Sequence, residues 1–187
     1  MKLPISLYGH PVLRQEAAPI TADNSGELKK LVDDMFETMY AAEGCGLAAP
    51  QIGKSIRLVV IDADVLGDEY PECKGRKFAL INPEVTILEG EEVGRNEGCL
   101  SLPGLSENVN RVEHIHLKWL DEEMNPHEEE MSGFLARIVQ HECDHLDGKV
   151  YMDHVSTGRR LLLRGKLRNL VEGKVRCDYR VKSASRR

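Results

Sequence analysis

Residues 140–145 read Gln-His-Glu-Cys-Asp-His. They fall inside a stretch from Ser132 to Gly148 in which Phe134, Leu135, Ile138 and Val139 recur at helical spacing. A chain carrying this segment must bury one face of a helix while bringing two histidines and a glutamate to one point. At about 100° per residue, His141 and His145 are separated by about 40°, so both imidazoles leave the same face and can share a metal ion. Glu142 lies about 60° from His145 and about 100° from His141, beside the ligands rather than among them, where a base acting on water belongs. Cys143 points about 160° from both histidines and reads as a packed core thiol. Asp144 falls on the opposite flank from Glu142, as a group that braces the ligands.

Two further segments can complete such a site. Cys99 sits in Glu97-Gly98-Cys99-Leu100-Ser101, after a glycine that lets the backbone approach a neighbour. One thiolate with two neutral imidazoles gives a three-ligand set with an open position, as a catalytic centre needs. Residues 44–51, Gly-Cys-Gly-Leu-Ala-Ala-Pro-Gln, combine small residues that admit a ligand to the backbone with a side-chain amide donor, Gln51. A metal with a carboxylate beside it suits hydrolysis of an amide-type bond.

Composition narrows the setting. At 187 residues the chain suits one domain with a real core. Its five cysteines, at 45, 73, 99, 143 and 177, contain no C-x-x-C pair, against both a disulfide framework and a four-cysteine zinc ribbon. No stretch approaches the ~20 apolar residues of a membrane span, and the N-terminus lacks the apolar core of a signal peptide, so a cytoplasmic monomer without a membrane partner is expected. The net charge of −6 divides unevenly: residues 159–187 carry eleven Lys/Arg against Glu172 and Asp178, a local +9, leaving −15 on the rest.

Helical periodicity over residues 26–42, with Ser25 as N-cap and Gly44 as stop, predicts an amphipathic helix. Residues 57–61 and 78–81 predict short strands. Residues 112–120 alternate, with Ile115, Leu117 and Trp119 on one face, and Asn125-Pro126 turns the chain into a second, acidic strand. A last helix is predicted over 157–172. Helices at both ends with strands between imply an α+β fold, with small mixed or antiparallel sheets around the helix that carries the H-E-x-x-H motif, and a C-terminal helix. The expected organisation is a single catalytic domain over 1–172 and a basic, flexible tail over 173–187.

The three segments, in this order and spacing, resemble peptide deformylases, whose pattern is G-x-G-L-A-A-x-Q, E-G-C-L-S and Q-H-E-x-D-H; the likeness spans about residues 1–165. It implies removal of the N-formyl group from the formyl-methionyl end of nascent polypeptides, releasing formate. Cys99, His141 and His145 would hold ferrous iron, with zinc, nickel or cobalt able to substitute. Glu142 would be the catalytic acid and base, with the Gln51 side chain and Leu100 N–H stabilising the oxyanion. Gly46 and Glu97 would bind substrate, and Phe134 and Ile138 would either line the methionine slot or only fill the core. Two positions depart from the pattern: Cys45, where an aliphatic is common, and Arg137, where an apolar residue is familiar. The basic segment implies docking at the ribosome, against the alternative of a solvated basic helix with a loose end. A zinc protease is the rival enzyme, disfavoured because its third ligand would lie downstream of the helix. A non-catalytic formyl-peptide binder would have lost Glu142 or Gln51, and both are present.

Overall fold

The computed structural model describes residues 1–21 and 27–185. Its largest element is a five-stranded antiparallel sheet in the order β2-β3-β4-β7-β8. These strands are Gly46–Ala48, Leu58–Asp62, Lys77–Ile87, His114–Leu120 and Pro126–Ser132. β3 shows how the sheet is built: alternate side chains point to opposite faces, and both faces are covered. Leu58 and Val60 pack with Leu28, Val32, Met35 and Met39 of α1, Leu28–Ala41. Val59 and Ile61 pack on the other face with Leu135, Ala136, Val139 and Cys143 of α2, Gly133–Leu146. Burying each such side chain contributes about 1.5–3 kcal/mol, so β3 reads as a continuous apolar run rather than an alternating one.

The fold is α+β, with the motif-bearing helix at its centre. α1 ends at Ala41, before Gly44; the expected N-cap, Ser25, lies outside the described residues. The run read as one strand over 112–120 is divided at Glu113, where the chain leaves the hairpin β5–β6, Glu92–Gly98 and Ser106–Val112, and enters β7 of the large sheet. That hairpin has a polar sequence and carries no strong strand signal of its own. α2 stops at Leu146, and Gly148 follows at φ +68, where an added Cβ would come within 2.9 Å of the Arg14 carbonyl oxygen. α3, Thr157–Val171, is capped by Ser156, whose hydroxyl accepts from the Arg159 N–H.

The C-terminal segment corrects an expectation. Residues 173–185 are not a loose tail but part of the fold. β9, Val181–Lys182, pairs in parallel with β1, Ile5–Ser6, through Ile5 N–H to Arg180 O at 2.8 Å and Leu7 N–H to Lys182 O at 2.7 Å. Val175, Cys177, Tyr179 and Val181 are half-buried, while the charged residues between them face solvent. This period-two alternation was present in the sequence beneath the basic charge.

Candidate active site

Three elements converge on one cleft. α2 contributes His141 and Glu142 to its lining and the fully buried His145 to the cluster with Cys99; the turn after β5 contributes Cys99 and Leu100; and β2 with the helical turn Ala49–Ile52 contributes Gly46 and Gln51. The cleft encloses about 550 Å³. One ligand atom from each of Cys99, His141 and His145 lies within 4.8 Å of the other two. Cys99 Sγ stands 3.3 Å from His145 Nε2 and accepts from Gln51 Nε2 at 3.4 Å.

The charges favour a cation at this point. Burial alone would raise the Cys99 thiol, but His145 and His141 overcome it and bring the pKa down to about 5, so the sulfur is a thiolate at neutral pH. His145 Nδ1 is buried without a hydrogen-bond partner among the described residues. The Nδ1 of His141 is hydrogen-bonded to Glu97 Oε2 at 2.9 Å, which leaves Nε2 available as a donor atom. A thiolate and two imidazoles form a donor set suited to zinc, iron, nickel or cobalt.

Glu142 is set apart from these ligands. Burial pushes its pKa up to about 7, against the pull of His141 and His145, and Oε2 is buried without a hydrogen-bond partner among the described residues. Gly46 makes this placement possible: a Cβ there would stand 2.5 Å from Glu142 Oε1. Gln51 is held from both ends. Its Oε1 accepts from the Ala48 N–H at 2.8 Å, and its Nε2 also reaches Ser101 Oγ at 3.1 Å.

Glu97, Phe134 and Ile138 are not among the residues that line this cleft. Glu97 does not face the cleft; its carboxylate is taken up by Arg111 at 2.6 and 3.0 Å, Arg137 at 2.8 Å and His141. Its position on β5 turns it beneath the ligand helix, where it orients an imidazole. Phe134 shares the His141 face but sits about 10 Å earlier along the helix axis. There its ring stacks on Tyr70 with centroids 4.2 Å apart. Ile138 is packed into the core between α2 and the sheet.

Arg137, the unusual residue within that apolar stretch, is almost wholly buried. It also binds Glu113 at 2.7 Å and the Val109 carbonyl at 2.9 Å. Asp144 continues the network, accepting from Arg111 at 3.0 Å and meeting His154 at 2.8 Å. Cys143 lies in the core, where burial raises its thiol. Sequence reasoning missed the role of Arg111 and the wall that residues 176–179 add to the cleft. A charged residue inside an apolar helix face was the available signal for a buried ion-pair network.

The polypeptide deformylase family model matches residues 2–160. The chain belongs to that family. It is 43% identical to the peptide deformylase of Flavobacterium psychrophilum over 189 residues, covering 97% of each chain. It is also 43% identical to that of Salinibacter ruber, covering 96% of this chain and 93% of the other. Among solved structures, the peptide deformylase of Thermus thermophilus superposes with a TM-score of 0.81 at 39% identity, covering 92% of this chain and 99% of that one. A peptide deformylase from Legionella pneumophila gives 0.80 at 39% identity, covering 94% and 99%. The chain is thus a hydrolase of the family that removes the N-formyl group from nascent polypeptides, and its Cys/His/His arrangement fits the metal dependence of that family.

Proposed function

We propose that Cys99, His141 and His145 hold one ferrous ion, replaceable by zinc, nickel or cobalt, and that Glu142 carries the proton through hydrolysis of formyl-methionyl peptides. The bound metal supplies a Lewis acid that can bring the pKa of water from about 15.7 to near ~7. Glu142, at about 7, is poised to take a proton from the attacking water and return it to the departing amine nitrogen. The formyl C–N bond breaks, the water oxygen is retained in formate, and the peptide leaves with a free N-terminal amine. The Gln51 side-chain amide and the Leu100 N–H donate to the oxyanion of the tetrahedral intermediate. Gly46, on the edge strand of the sheet, binds the peptide backbone, so the substrate adds as an extended strand.

The observation that carries this reading is the buried Glu142 carboxylate, which has no ion-pair partner among the described residues and is placed against Gly46 beside a thiolate–imidazole–imidazole set. Formate release from a formyl-Met peptide by metal-loaded Glu142→Gln tests it. Turnover should fall at least about 10³-fold with metal content kept. Normal release would sink the assignment. With iron, aerobic handling should reduce activity through oxidation of Cys99, whereas the nickel form should persist.

A cytoplasmic monomer acting at the ribosome is the setting we propose. No helix among the described residues is long and apolar enough to cross a membrane. α3 supports docking on nucleic acid, because Arg164 and Arg168 are exposed on one face with Leu161, and Lys166 is exposed on another with Leu162. Replacing Arg164 and Arg168 by glutamate should weaken and desalt-sensitise ribosome binding while formate release from a free peptide stays unchanged. Equal binding by the variant would count against docking.

A further inference from the structure

The ligand set spans two bodies of the fold. His141 and His145 belong to α2, whose apolar side chains pack into the cluster that contains Val59 and Ile61 of the large sheet. Cys99 follows β5, and the hairpin β5–β6 places Val109 in a different cluster, with Tyr151, Leu163 and Leu170. The bonds that join hairpin to helix are polar. Arg137, one turn before His141, donates through Nη1 to Glu97 Oε1 at 2.8 Å and to the Val109 carbonyl at 2.9 Å. Its Nη2 donates to the Val93 carbonyl. One side chain of α2 is thereby fastened to both strands of the hairpin. Gln140 Nε2 adds a bond to the Val112 carbonyl at 2.9 Å.

Glu97 is where this fastening meets the ligands. Arg137 and His141 lie about 40° apart around the helix and take different oxygens of the same carboxylate. Arg137 holds Oε1, and His141 Nδ1 meets Oε2 at 2.9 Å. Arg111 spans both oxygens, at 2.6 and 3.0 Å. Turning the carboxylate would break bonds at both oxygens, so Oε2 stays on His141 Nδ1 and the Nε2 of that ring stays free for a metal. Cys99 lies two residues beyond Glu97 on the same chain.

We propose that Arg137 is a positioning residue for the metal centre, fastening the hairpin that leads through Glu97 to Cys99 onto the helix that bears His141 and His145. This rests on the assignment of Cys99, His141 and His145 as metal ligands. The surrounding charges support it. Arg95, Glu113, Arg137, Glu97, Arg111 and Asp144 form one run of alternating ion pairs, three cations against three anions. Arg137 stands within that run, bonded to a carboxylate on either side. An apolar side chain in its place leaves the run one cation short and removes the donor from two hairpin carbonyls.

Cobalt(II) binding to the full-length protein tests the proposal. Chelator competition gives the Kd, and the thiolate-to-cobalt charge-transfer absorption reports the bond to Cys99. Arg137→Met should raise the Kd at least about tenfold and shift that absorption at saturating cobalt. Arg137→Lys keeps the charge but not the planar fork, and should raise the Kd about three- to tenfold. Leu58→Ala, which opens a cavity between β3 and α1, lowers stability without touching the hairpin and should leave Kd and absorption within about twofold of wild type. Arg137 variants within about twofold of the wild-type Kd overturn the proposal. Equal loosening by Leu58→Ala overturns it too, because the loss then follows stability. If Arg137→Met does not fold, Arg137→Lys decides by the same measures. Cys99→Ala separates the two assignments. If it binds cobalt with the wild-type absorption, the ligand assignment fails and the proposal with it. If it loses cobalt while the Arg137 variants keep theirs, the ligands stand and the positioning role fails.

Discussion

α2 and α3 are nearly equal in length, 14 and 15 residues, yet α2 buries eleven of its side chains and α3 buries two, Leu163 and Leu170. Both carry arginines. On α2 the arginine is enclosed: Arg137 is 1% exposed and bound to two carboxylates and two carbonyls. On α3 Arg164 and Arg168 are open to water. Buried charges cost several kcal/mol each to desolvate, and they persist only where partners hold them in place. The same rigidity aims Glu97 at His141. The contrast is between a helix whose polar groups are immobilised, where we propose the chemistry, and one on which Arg164 and Arg168 stay solvated, where we propose docking by long-range attraction.

Substitutions can break this contrast at either end. The largest effect is expected at the ligand set, where Cys99→Ala should abolish stoichiometric metal binding, measured by elemental analysis, and lower formate release at least about 10³-fold. Arg137→Met should follow. It leaves Glu97 and Glu113 partly uncompensated in the interior and should lower unfolding free energy by about 3 kcal/mol in urea titrations. A loss below about 1 kcal/mol would place this ion pair with ordinary surface pairs.

Acid should sharpen the difference. Burial would raise the Glu113 pKa, but Arg95 and Arg137 hold it below the usual carboxylate range; Arg14 does the same for Asp153. Carboxylates depressed in the folded state stabilise it fully above their unfolded pKa of about 4, and that contribution disappears as pH falls through the folded values. Melting temperature should therefore be level from neutral pH to about pH 5 and fall below it. Arg137→Met should show a shallower acid limb than wild type. The smallest changes belong to α3. Gly165→Ala, where an added Cβ meets nothing within 4 Å, should stabilise by about 0.5–1 kcal/mol, and Leu162→Ser should stay within about 0.5 kcal/mol.

Much of the site was legible because it is local. The i, i+4 spacing of His141 and His145 and the intervening Glu142 define directions on a single helix, so the chain order alone sets their relative bearing. Apolar runs announced β3 and the alternation of β7, because burial selects those residues. The polar hairpin β5–β6 was not announced, since its strands are held by main-chain pairing and by ion pairs to other elements. Glu97 illustrates the limit most clearly. The family resemblance implied a substrate contact for it, whereas the pleat of β5 turns its carboxylate toward His141, Arg111 and Arg137. Phe134 and Ile138 share a helix face with His141, but what covers that face is decided by Tyr70 and the sheet, which come from elsewhere in the chain.

The sequence by itself determined the donor types, the bearing of two ligands and the base on one helix, and the family to which the chain belongs. Tertiary structure decided which distant group completes each contact: Cys99 with His145, Glu97 with His141, Gly46 against Glu142, and Tyr179 on the Leu100 carbonyl. The physical reason is that a helix or strand prescribes the direction of its side chains within a few residues, whereas contacts across tens of residues depend on how faces pack. The C-terminal strand shows both at once. Its alternation from Val175 to Val181 was written in the chain, but its place beside β1, at the wall of the cleft, arises only when the two ends pair.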